Sequence, residues 1–244
     1  MTAPPGAPLP APRGGADLQR FHAISEAGAR NAATALSQVI GRPVHLEVPW
    51  ARAVPLEKVA QIAGGASRVV CALSLKVYGE ARGNLLLVFG RDQVPLLLQL
   101  VARSGADGAR KAGAARPRRR RDGGPGARRR PGEGLRDLSE FEQSALKEVG
   151  NIMAAAYLNA VSHLLGVSLL PSIPGLAIDM VGAVTDFLPI EMLPLGETAL
   201  VLASELLEPS SGLRGEFFFL PDPRTVPVLG RGPAPGRGAG PAAP

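Results

Sequence analysis

Apolar residues recur at helical spacing over 17–40 and again, more regularly, over 139–165, while shorter apolar or alternating runs between and after them read as strands. The first series predicts a helix (17–40), a strand (43–49), a connection holding Pro49 and Pro55, strands at 68–78 and 83–90, and a short helix (92–102). The second predicts a helix (139–165), a strand (167–170), a connection with Pro171 and Pro174, short helix and strand segments over 176–207, and a strand at 213–220. Three stretches carry no such pattern. Residues 1–15, 103–135 and 229–244 are built from Pro, Gly and Ala, the middle one with Arg as well. They offer too little apolar area to offset chain entropy, so they are expected to be disordered.

The two series resemble each other. A shift of 125 residues sets Phe21, Ile24, Ala35 and Val39 under Leu146, Val149, Ala160 and Leu164, and Pro49 under Pro174. After a change in loop length, FGRD (89–92) faces FLPD (219–222). The repeat predicts an α/β fold: a pseudo-two-fold duplicated unit whose two long helices pack on one shared, mainly antiparallel sheet. The expected organisation is a tail (1–16), a first half (17–101), an Arg/Gly/Pro-rich linker (102–136), a second half (137–226) and a tail (227–244).

The second long helix is specified in most detail. Ser139 and Glu142 form a capping box, and Asp137 and Glu140 suit the positive end of the helix dipole. Leu146, Val149, Met153, Tyr157, Ala160 and Leu164 are the expected buried stripe. Ser144, Glu148 and Asn151 follow at intervals of four and three, so they share the opposite face, and Ala155 extends that face without bulk. Gly150 sits mid-helix at a cost of roughly 1 kcal/mol relative to alanine, which has a use if a neighbour must come close.

Composition narrows the class. With 45% hydrophobic residues in 244, a real core is available; aromatics, at 4%, contribute little to it. No apolar run is long enough to span a bilayer, and MTAPPGAPLPAPRGGA lacks the apolar centre of a secretory signal, so a cytoplasmic location is expected. The single Cys71, within RVVCALSL, excludes a disulfide framework and reads as a buried, reduced thiol. The net charge of +6 is local: residues 103–130 carry +9, leaving −3 for the rest. That Arg-rich segment suits nucleic acid or acidic lipid through counterion release, or faster capture of an acidic partner, or no function beyond a linker. It lacks the interleaved aromatics of a single-strand binder, so nucleic acid is not expected as a partner.

Catalytic motifs for nucleotide binding, zinc hydrolysis or serine hydrolysis are missing. His22, His45 and His163 lack metal-ligand spacing, and Trp50 reads as a packing residue or turn anchor. What remains is the Glu148/Asn151 pair.

SALKEVGNIMAAAYLNAVSHLLG, followed by LPSIPGLAIDM, resembles the CheC-like family of chemotaxis phosphatases, which includes CheX and FliY. The family's motif is Asp or Ser, three residues, Glu, two residues, Asn, twenty-two residues, Pro, and Ser144, Glu148, Asn151 and Pro174 meet every spacing. GARNAATALSQVIGRPVHLEVPWARAVPLEKV (28–59) resembles the same family, so the likeness runs over roughly 17–220.

The resemblance implies a pseudo-symmetric α/β fold and a chemotaxis protein that dephosphorylates the aspartyl phosphate of a CheY-type response regulator. Asn151 would orient the attacking water and Glu148 would dock on the regulator's lysine. Ser144 and Ala155 would border the contact, and Pro174 would shape a supporting turn. No cofactor is expected on this chain, the Mg²⁺ being the regulator's. In the first half the shift places Gln19, Ala23 and Glu26 at the motif positions; with Ala23 and Glu26 the site there reads as degenerate, and only Pro49 is retained. The alternative is a non-catalytic adaptor binding a CheY-type regulator or a CheD-type deamidase. A monomer is expected.

Overall fold

The computed structural model describes residues 15–111, 138–192, 197–223 and 225–226 of the 244. The expected tails and the Arg-rich linker lie outside these residues apart from their margins. Two helices of 26 residues, α1 (Gly15–Ile40) and α4 (Glu140–Leu165), dominate one layer. At the start of α4 the Ser139 side chain accepts from the Glu142 backbone while the Glu142 carboxylate accepts from the Ser139 amide, the expected capping box. Its end is closed by Gly166 at φ 66°, a left-handed cap that glycine adopts without steric penalty.

The buried stripe of α4 departs from the sequence reading in its last turns. Leu146, Val149, Met153 and Tyr157 are buried, but Val161 and Leu165 follow, while Ala160 is only half-buried and Leu164 is 40% exposed. A strict seven-residue repeat drifts by about 20° per heptad around a straight helix, so by its third heptad the expected stripe has rotated off the contact. In α1 the buried positions are 21, 24, 25, 28, 29, 32, 33, 36 and 40, and each plus 125 is a buried position of α4.

Between these helices lie β1 (His45–Pro55), a 3-10 turn (Leu56–Lys58), α2 (Val59–Ile62), β2 (Val69–Gly79), β3 (Gly83–Gly90) and α3 (Val94–Lys111). After α4 come β4 (Leu169–Pro171), β5 (Gly175–Met180), α5 (Val181–Thr185), α6 (Phe187–Met192), β6 (Thr198–Glu208) and β7 (Leu213–Pro221). The helix expected over 92–102 continues to Lys111, beyond the apolar signal that stops at Val101; the alanines, arginines and lysine of the added segment favour it, while Gly105 and Gly108 oppose it. Residues 45–55, expected to split into a strand and a proline-bearing connection, form one strand. β1 lies at the end of the sheet, and its pairing with β6 slips by one residue between Glu47 and Trp50, so Pro49 falls in a bulge where no ladder amide is required.

The strands form one antiparallel sheet in the order β1-β6-β7-β3-β2-β4, with β5 also paired to β2. Exchanging β1 for β4–β5, β2 for β6 and β3 for β7 reverses this order without changing it. Strands from before and after α4 therefore interleave in a single antiparallel sheet.

Both faces of the sheet are covered, which explains why its strands read as continuous apolar runs. Cys71, Leu73, Leu75 and Val77 point to the long helices, whereas Val70 and Ala72 point to the small helices on the other face. The FFFL run of β7 divides likewise: Phe217 and Phe219 meet Tyr157 of α4 at ring-centroid distances of 4.8 and 5.8 Å, and Phe218 and Leu220 enter the second core. Each such side chain removed from water stabilises the fold by about 1.5–3 kcal/mol. Burial pushes the Cys71 thiol up to about 12, so it stays protonated as the sequence context suggested. Trp50 is a packing residue: half-buried against the second core, with the Arg52 guanidinium 5.2 Å above its ring. No described helix is long and apolar enough to cross a membrane.

Candidate functional site

Packing of α4 on the sheet determines which of its residues can act on another molecule. Gly150 is buried against β2, where an added Cβ would lie 3.1 Å from Leu73 Cδ1. The missing side chain lets the middle of the helix settle close to the sheet. Opposite this contact, Ser144, Glu148 and Asn151 are all exposed, and Ala155 is half-buried. Residues three or four apart on a helix have Cβ atoms about 5–6 Å apart, so Glu148 and Asn151 form one compact polar feature. Neither side chain is engaged by a hydrogen bond or ion pair among the described residues. A carboxamide and a carboxylate thus stand in solvent with their full bonding capacity, on a helix whose other face is anchored in the core.

Pro174 is buried in the break between β4 and β5, at the sheet edge that α4 covers. The turn before it is tied to β2: the Lys76 amide donates to Ser172 Oγ at 2.9 Å, and the Ser172 amide donates to the Lys76 carbonyl at 2.8 Å. The Lys76 ammonium in turn meets Glu191 of α6 at 2.6 Å, a hydrogen bond that raises its pKa. Pro174 itself has no exposed group to offer. Its neighbour Ile173 is 90% exposed.

The equivalent face of α1 differs in chemistry. Gln19, Ala23 and Glu26 are exposed, as their counterparts are. Ala23 has no functional group, and Glu26 is held by Arg30 at 2.6 Å in a surface pair one turn long. Pro49 occupies the bulge of β1, the position that corresponds to the β4–β5 break. The chain thus presents two related helical faces, of which one carries a free Glu and Asn. His22, His45 and His163 are exposed on separate elements, and no group of three metal-ligating side chains occurs among the described residues.

Comparison with known proteins matches the same region. The model of the CheC-like family fits residues 141–178, a span that contains Ser144, Glu148, Asn151 and Pro174. The chain is 27% identical over 204 residues to the CheY-P phosphatase CheC of Bacillus subtilis, covering 82% of this chain and 85% of that protein. Among solved structures it is similar to FliY of Thermotoga maritima, with a TM-score of 0.60 and 19% identity over 88% of this chain and 94% of that one. The FliM middle domain of H. pylori superposes with a TM-score of 0.57 and 10% identity, covering 88% and 98%. The resemblance to the CheC-like family read from the motif is thereby shown, and the fold is shared with flagellar proteins of very different sequence.

Proposed function

We propose that this chain hydrolyses the aspartyl phosphate of a CheY-type response regulator, with α4 as its catalytic ridge. The observation that carries the reading is the free Glu148/Asn151 pair, exposed one turn apart on a helix fixed by core packing. An acyl phosphate is already activated by the regulator's own Mg²⁺ and lysine, so a helper has only to hold water in line with phosphorus. A carboxamide suits that task because it donates and accepts at once, as the water-orienting Gln does in GTPases. Asn151 takes this role. Glu148 pairs with the regulator's lysine and sets the docking register. Ser144 borders the contact, the small Ala155 leaves room for the approaching partner, and Pro174 supports the neighbouring edge. The B. subtilis relative that bears the name CheY-P phosphatase supports the same reading.

Decay of a phosphorylated regulator with catalytic amounts of protein tests it. Asn151→Ala should slow turnover on the order of 100-fold or more, the scale for losing a positioned donor at a reacting centre. Acceleration that persists in Asn151→Ala would remove Asn151 from the mechanism. If wild type leaves the decay unchanged yet binds the regulator, the chain is an adaptor. The α1 face favours a single working site, since Glu26 is anionic and already paired with Arg30.

A further inference from the structure

The exposed face of α4 does not begin at Ser144. Three residues earlier stands Phe141, 66% exposed, so Phe141, Ser144, Glu148, Asn151 and Ala155 continue in steps of three and four along one side. The chain has seven phenylalanines; Phe21, Phe89, Phe217, Phe218 and Phe219 are buried and Phe187 is half-buried, which leaves Phe141 alone in water. Its turn is ordered by the Ser139/Glu142 capping box, so the ring projects from a rigid position. Nor does it belong to the helix's own packing: Leu138, which precedes the cap, is the apolar residue buried there.

We infer that Phe141 is the apolar anchor of the docking face, meeting an apolar surface of the response regulator away from its phosphorylation site. The inference rests on the phosphatase reading for the identity of the partner. Its geometry is definite: ten residues of helix at 1.5 Å each put the anchor about 15 Å from Asn151 along the axis. Glu148 supplies charge recognition between the two. Binding energy at interfaces concentrates in a few aromatic anchors surrounded by near-neutral contacts, and a phenyl ring held on an ordered helix loses little freedom on binding. An anchor remote from the reacting atoms contributes equally to ground and transition states, so it acts on KM and leaves kcat alone.

The test is steady-state dephosphorylation over a range of phosphorylated regulator, using the full chain. Phe141→Ala should raise KM about tenfold with kcat within about twofold of wild type, and Phe141→Leu should recover most of the loss. Leu164→Ala, which removes an exposed leucine off this face, should change neither. An unchanged KM in Phe141→Ala, or a substantially lowered melting temperature, overturns the inference; the latter makes Phe141 a packing residue. A parallel binding measurement uses the regulator loaded with Mg²⁺ and beryllofluoride, an acyl-phosphate mimic. If wild type shows no turnover but binds this complex, and Phe141→Ala binds it about tenfold more weakly, the docking role stands without the phosphatase reading. If Phe141→Ala binds as wild type does while Asn151→Ala abolishes turnover, the phosphatase reading stands and the anchor falls.

Discussion

Glu208 accepts from four donors, the amides and hydroxyls of Ser210 and Ser211, whereas Asn151 accepts from none. The contrast separates a structural polar residue from one available to a partner. Asn151→Ala and Glu148→Lys remove nothing that holds the chain together, so each should change unfolding free energy by no more than about 0.5 kcal/mol. Glu148→Lys should raise KM for phosphorylated regulator on the order of tenfold, by replacing attraction with repulsion at the docking contact. Chemical denaturation beside the kinetics checks both halves of this expectation. Glu208 should behave in the opposite way. Burial alone would push its pKa up, but the hydrogen bonds from Ser210 and Ser211 outweigh burial and hold it at about 2, against an ordinary 4.5. A folded pKa below the unfolded one contributes stability that is complete above pH 4.5 and is lost as pH falls through about 2. Glu208→Gln should therefore be less stable than wild type near neutrality, with the two urea midpoints converging between pH 4.5 and about 2.

At the scale of elements, the two long helices each contain a glycine at a buried position, and the two should respond differently to alanine. A Cβ on Gly28 would lie 2.6 Å from Tyr157 Cδ2, in the middle of the α1–α4 contact, where an aromatic ring already wedged against Phe217 and Phe219 cannot retreat. Gly28→Ala should destabilise by about 1–3 kcal/mol despite better helix propensity. A Cβ on Gly150 would lie 3.1 Å from Leu73 Cδ1 and 3.3 Å from its Cβ, a milder clash that a shift of a few tenths of an ångström between α4 and β2 relieves. The gain in propensity, about 1 kcal/mol, offsets the crowding, so Gly150→Ala should melt close to wild type. The length of α4, its cap and the solvent-facing ridge were all legible from periodicity. The drift of the buried stripe to Val161 and Leu165 was not, because a heptad pattern does not state where the helix stops touching its neighbour. Phe141 shares the ridge by its spacing, but its exposure also depends on what the rest of the chain does not cover.

The whole molecule is held by pairings between halves. β1 bonds to β6, β3 to β7, and β4 and β5 to β2, so each half supplies strands whose partners lie in the other. Tyr157 enters the space left by Gly28, which joins the helical layer across the same division. Residues 1–137 or 138–244 expressed alone should show little sheet by circular dichroism, and mixing the two should restore it. A folded first half in isolation would contradict the interleaved sheet. The intact chain should unfold in one cooperative transition, because neither half exposes a complete core to stabilise an intermediate.

Local pattern was enough for the helices, the apolar strands, the 125-residue correspondence and the spacing of Ser144, Glu148, Asn151 and Pro174, because each is a property of residues near one another or of a fixed offset along the chain. Which helical face lies in solvent follows from the same periodicity, since side-chain direction repeats every 3.6 residues. Tertiary structure alone decided that β1 is one bulged edge strand and that Gly28 and Gly150 serve as clearances for Tyr157 and Leu73. These outcomes depend on contacts between residues far apart in the chain, or on a competition between local propensity and such contacts. Sequence spacing carries no measure of either.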